Sequence, residues 1–170
     1  MLCRPSAIAR RVSARHDMEK QSDRPSGNPI DLGMLPELLG YQLRRAQVAV
    51  FQHFSESMGA LDITPGQFGM LAVINSNPGL SQTQLGNALG IDRSTVVAMI
   101  DRLEARELVI RATAPNDRRS HALRLSEQGA ALFERLQKMV RAHERHISHA
   151  LSPDDQRLLI RLLGRVGRPE

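Results

Sequence analysis

Two capping signals stand eleven residues apart, and a short β-branched segment follows them; this succession most constrains the fold. Ser81-Gln82-Thr83-Gln84 has the form of a helix start, with Ser as cap and Gln three residues on able to reach back. Leu85, Ala88 and Leu89 then give a short amphipathic helix that breaks at Gly90-Ile91-Asp92. Asp92 can cap the next helix, which turns Val96, Met99, Ile100 and Leu103 inward and ends near Arg106-Glu107. Two helices joined by a tight Gly-containing turn have the spacing of a helix-turn-helix. Leu108 to Ala112 and Ser120 to Leu125 read as two strands, and TAPNDRRS between them is rich in turn formers. A hairpin directly after a helix-turn-helix is a wing. Its tip carries Asp117, Arg118 and Arg119.

The flanks read as helical. From Pro36 an apolar stripe runs through Leu39, Leu43, Ala46, Val50, Phe51, Phe54 and Met58, with Gly59 as a stop. Thr64-Pro65-Gly66-Gln67 starts a second helix, with Phe68, Leu71, Ala72 and Ile74 inward, closed by Asn77-Pro78-Gly79. After Ser126 a long helix runs through Ala130, Phe133, Leu136, Val140, His143 and Ile147. Ser152-Pro153-Asp154-Asp155 starts the last helix, striped by Leu158, Leu159, Leu162, Leu163 and Val166. The expected class is mainly α with a small β-hairpin wing: a winged helix-turn-helix plus a helical dimerisation domain, six helices in all. The expected divisions are 1–33, a disordered arm whose true start could be Met18; 34–60 with 126–170, the dimerisation domain; and 61–125, the winged domain.

Composition narrows the function. The formal charge is +5 and nearly all cations are Arg, which is compatible with a polyanionic partner. Aromatics are 3% with no Trp, which disfavours a stacking platform for single strands. The one cysteine, Cys3, excludes an internal disulfide framework and fits a reducing cytoplasm. No apolar run approaches the roughly 20 residues of a membrane span. No nucleophile elbow, phosphate loop or zinc-hydrolase helix is present, so neither an enzyme nor a cofactor is expected.

From about Leu35 to Val166 the chain resembles the MarR family of bacterial transcription regulators. The wing carries the resemblance: Asp117, any residue, Arg119, five residues, then Leu125-Ser126 with Gly129 soon after. GIDRSTVVAMIDRLEARELVIR is similar to the family's recognition-helix segment, and Ser152-Pro153 to the start of its final helix. The resemblance implies a homodimer on double-stranded DNA, in many members a repressor released by a small anionic aromatic ligand. Some relatives sense an aromatic acid or its coenzyme A thioester. One departure is visible: family members often have a polar then a basic residue where this chain has Val97 and Ala98.

The candidate DNA contacts are Arg93, Ser94, Thr95, Ala98 and Arg102 on the recognition helix, with Asp117, Arg118 and Arg119 on the wing. Arg93 could pair with guanine O6 and N7, and Val97 or Ala98 could meet a thymine methyl. The hydroxyls of Ser94 and Thr95 could bond phosphate or a base edge, or merely complete the cap opened by Asp92. By resemblance, Arg119 pairs with Asp117 and enters the minor groove, and Arg118 meets the backbone. Residues 92 to 127 hold seven Arg and six acids, so affinity requires Asp101, Glu104 and Glu107 to lie away from phosphate. Candidate ligand contacts, carried over by element, are Tyr41, Arg44, Arg45, Phe51, Phe68 and Met70. Arg44 and Arg45 could instead be surface or DNA-facing charges, and Phe51 and Met70 plain core. His143, His146 and His149 raise a metal-dependent regulator as an alternative, but His143 and His149 point to different sides, so surface or interface histidines are expected and no metal. A winged-helix protein-interaction module is the other alternative.

Overall fold

The computed structural model describes residues 30–114 and 117–167; the side chains of 113–121 lie outside that description. Residues 30–38 belong to a separate unit, within which Leu35–Glu37 form a 3-10 turn. The body from Leu39 onward holds six α-helices and one hairpin among the described residues: α1 Leu39–Met58, α2 Pro65–Ser76, α3 Gln82–Leu89, α4 Arg93–Ala105, β1 Val109–Ala114, β2 Asp117–Leu125, α5 Glu127–Ile147 and α6 Pro153–Leu163.

Local chemistry sets the helix starts. Thr64 and Ser81 each close a reciprocal capping box with the Gln three residues on. Gly90 ends α3 at φ +64°, a left-handed position that glycine occupies without a Cβ penalty. Asp92, Ser126 and Ser152 cap α4, α5 and α6. The chain leaves α4 through Glu107 at φ +57° and enters β1.

One continuous core joins the winged segment to α1 and α5. Leu85, Val96, Ile100, Leu103 and Leu123 are fully buried, together with Met70, Leu71, Ile74, Met58 and Leu136. β1 and β2 pair antiparallel from Val109↔Leu125 to Thr113↔His121, with an irregularity before Ala114↔Asp117. The strands are longer than the sequence pattern predicts and take in most of TAPNDRRS. Hairpin pairing is a backbone property, so its length is not set by the side-chain pattern. Leu80 adds a bridge: Gly79 N donates to Leu123 O at 2.8 Å and Leu123 N to Leu80 O at 2.9 Å, tying the wing's base to the α2–α3 connection.

Among the described residues, two apolar stripes are left uncovered. On α1 only Phe54 and Met58 of the expected inward set are buried, while Phe51 is 48% exposed. Phe51 is therefore not core, because α5 covers the C-terminal part of α1 and leaves its ring open. On α6 nothing is buried, and Leu158, Leu159, Leu162 and Leu163 face outward. Val166 lies beyond the end of that helix.

Candidate nucleic-acid interface

α4 buries Val96, Ile100 and Leu103 and turns its other side out. Arg93, Ser94, Thr95, Ala98 and Arg102 are exposed, and Val97 is half-buried. Arg93, Ser94, Val97, Ala98 and Asp101 line one open concavity on this face. Among the described residues neither Arg93 nor Arg102 is ion-paired. Their guanidinium donors are therefore available to an acceptor-rich partner.

The N-terminal turn of α4 is organised around Asp92. Its carboxylate accepts from Thr95 N at 2.9 Å, from Thr95 Oγ1 at 2.6 Å and from the Ser94 hydroxyl. The Ser94 and Thr95 hydroxyls hold its pKa well below the usual carboxylate range. Of the two readings of Ser94 and Thr95 open in the sequence, cap completion is present in the free protein: both hydroxyl hydrogens are directed to Asp92.

Two acids of the near-neutral segment are held by one cation. Arg111 on β1 donates to Glu104 Oε2 at 2.8 Å and to Asp101 Oδ1. With its carboxamide turned to face the guanidinium, Gln82 accepts from Nε of Arg111 at 2.9 Å. Asp101 lines the same concavity as Arg93, so it does not lie away from the candidate DNA face; its charge is offset by Arg111 instead. Arg106 donates to the carbonyls of Leu61, at 2.9 Å, and Asp62, which occupies that cation at the connection between α1 and α2. The backbone of Asp117, Arg118 and Arg119 opens β2; their side chains lie outside the described residues.

The six ligand candidates do not share one environment. Met70 is enclosed in the core with no surface free, whereas Phe51, Arg44 and Arg45 are exposed. The Arg45 guanidinium lies 5.9 Å from the Tyr41 ring centroid. Phe68 belongs to an aromatic series across α1, α2 and α5, 6.4 Å from Phe54 and 5.9 Å from Phe133.

That series continues into histidines, which corrects the surface or interface placement expected of His143. Its ring is 3% exposed, edge-on to Phe54, and its Nδ1 is 2.7 Å from Nδ1 of His53. One of these nitrogens donates and the other accepts. His146 stacks on His53 at 3.9 Å, and His149 Nδ1 lies 2.8 Å from His146 O. Burial pushes the pKa of His143 down, and the neighbouring His53 and His146 push it further. The sequence pattern does not point to His53; the signal for His143 is present in it, since that residue keeps register with Phe133, Leu136 and Val140. Among the described residues no three His, Cys, Asp or Glu are grouped to hold a metal ion. Among the same residues no helix is long and apolar enough to cross a membrane.

An exposed recognition-type helix beside a hairpin, both on one core, defines a winged helix-turn-helix protein. The model of the MarR family matches residues 61–120. A protein of Thauera aromatica, whose name assigns it to transcriptional regulation of the hcr operon, is 36% identical over 157 residues, 90% of this chain and 95% of its own length. The repressor CouR bound to a 23-mer DNA duplex is 40% identical, with a TM-score of 0.79 over 83% of this chain and all of the other. CouR bound to p-coumaroyl-CoA is 37% identical, with a TM-score of 0.76 over 83% of this chain and 99% of the other. The chain belongs to the MarR family of transcription regulators.

Proposed function

We propose that the protein is a homodimeric repressor that holds a palindromic operator and leaves it when a small anionic ligand binds. The observation that carries the DNA part is the exposed face of α4, where Arg93, Ser94 and Ala98 line an open concavity and Thr95 and Arg102 are exposed on the same helix. In this reading α4 lies in the major groove, and Arg118 and Arg119 reach the flanking backbone and minor groove. Asp117 pre-orients one wing guanidinium. The DNA partner puts the protein in the cytoplasm.

The dimer reading rests on α6. An amphipathic helix with Leu158, Leu159, Leu162 and Leu163 uncovered needs a partner surface, and a second copy supplies a matching one. Two α4 helices about a two-fold axis would then meet half-sites about 34 Å apart. The ligand class is carried over from the CouR complex with p-coumaroyl-CoA. An aromatic acid or its coenzyme A thioester is the class to try first, with Arg44 and Arg45 as the cations nearest to Tyr41 in sequence and Phe68 as the aromatic contact.

The test is a mobility-shift titration with the DNA upstream of the protein's own gene, repeated with a panel of aromatic acids and their thioesters. Retardation at low salt, reversed by one panel member that also raises the melting temperature, is expected. No retardation at low salt would overturn the proposal.

A further inference from the structure

The concavity on the outward face of α4 has a floor that offers no hydrogen bond. Ser94, Val97, Ala98 and Asp101 recur at three- and four-residue spacing, so they share one side of the helix, and Arg93 stands beside Ser94 at one end. The two middle residues present only methyl groups; Val97 is half-buried and Ala98 exposed. The ends are polar and opposite in sign. Arg93 offers donors, and Asp101 offers a carboxylate whose charge is offset by Arg111. Phosphate gains nothing from an uncharged floor bordered by a carboxylate. A base carbonyl or amino group pressed on that floor would lose its water without gaining a partner, which costs free energy. The thymine C5-methyl is the apolar group that a base pair shows in the major groove, and it gains from the same burial.

We propose that Val97 and Ala98 form a seat for the C5-methyl of a thymine and so determine part of the sequence specificity of α4. The inference rests on the DNA-binding reading above. It divides the helix face: Arg93 takes acceptors such as guanine O6 and N7, and the two apolar residues take a methyl. A helix rises about 1.5 Å per residue, which puts the centre of the floor about 7 Å along the axis from Arg93. The thymine therefore sits within about two base steps of the base that Arg93 meets. The seat recognises the methyl rather than the whole base, so 5-methylcytosine fits it as well.

The experiment selects bound duplexes from a random pool with the full chain, then replaces the thymines of a selected half-site one at a time by deoxyuridine. That change removes a methyl and keeps the pairing and every hydrogen-bonding group. At one thymine per half-site it should weaken wild-type binding about four-fold, the worth of one buried carbon group of this size. Cytosine there should also bind more weakly, and 5-methylcytosine about four-fold more tightly than cytosine. Val97→Ala removes most of the floor and should bind the thymine and deoxyuridine duplexes within about two-fold of each other. Ala98→Ser, at an exposed position, puts a hydroxyl on the floor and should likewise relax the preference for thymine. Melting temperatures near the wild-type value check that both variants fold. Equal wild-type affinity for thymine and deoxyuridine at every position, or undiminished discrimination in the variants, would overturn the inference while leaving DNA binding standing. Recovery of no duplex by the wild type would sink the DNA-binding reading and this inference together.

Discussion

Gly129 lies where the first turn of α5 presses on the α4–β1 junction, and Gly129→Ala should destabilise the protein although alanine is the better helix former. A Cβ built there falls 1.9 Å from Leu108 O and 2.8 Å from Leu108 C. Reaching an ordinary separation of 3.4 Å requires the two backbones to part by about 1.5 Å. Both are main chain, so no side chain can swing away. The same junction holds Ser126 N to Leu108 O at 3.1 Å, Gly129 N to Ser126 Oγ at 2.8 Å, and the Ser126 hydroxyl on Glu107 O. Overpacking costs about 1–3 kcal/mol, and each hydrogen bond broken adds about 1 kcal/mol. Helix propensity returns about 1 kcal/mol. The net is a loss of about 2–4 kcal/mol, or a fall of roughly 5–15 °C in melting temperature for a chain of this size. Gly69→Ala on α2 is the control: its Cβ would meet only Leu89 Cδ2 at 3.9 Å, so it should be neutral or stabilising by up to about 1 kcal/mol. Thermal unfolding followed by circular dichroism reads both. A melting temperature unchanged or raised in Gly129→Ala would refute the reasoning.

Replacing Arg111 by Gln should free Asp101 and Glu104 and weaken duplex binding about ten-fold at low salt, with the deficit shrinking as salt screens the exposed carboxylates; anisotropy titrations at two ionic strengths check it. Arg118→Ala combined with Arg119→Ala should weaken binding and make the salt dependence shallower by about 0.9 for each phosphate no longer neutralised, read from the slope of log affinity against log salt. His143 is held below its ordinary value near 6.5, so the unfolded chain takes up this proton first. Its contribution to stability is full above about pH 6.5 and is lost as pH falls toward the folded value. Melting temperature should therefore drop on acidification from pH 7.5, and His143→Gln should flatten that dependence.

The helix starts were legible because they are local. Thr64, Ser81, Asp92, Ser126 and Ser152 each bond a backbone N–H three residues on, and a single sequence contains that whole interaction. The inward face of α4 was legible for the same reason, through Val96, Ile100 and Leu103. Interactions between distant segments were not. His53 and His143 are 90 positions apart, and no periodic rule joins them. Leu80 bridges to Leu123 through backbone atoms alone, which no side-chain pattern records. The charge count over 92 to 127 gave near neutrality but not that Arg111 collects Asp101 and Glu104. Phe51 fitted the apolar spacing of α1, yet a stripe can say only which residues share a face, not where the neighbouring helix stops covering it.

In the proposed complex two copies of α4, held by a two-subunit frame, engage successive major grooves of one duplex. Hydroxyl-radical footprinting of a selected duplex, with the mass of the complex determined by sedimentation, tests it most directly. Two chains per duplex and two protected regions centred about 34 Å apart on the same face are expected. A single chain per duplex, or one continuous protection without that spacing, would contradict it.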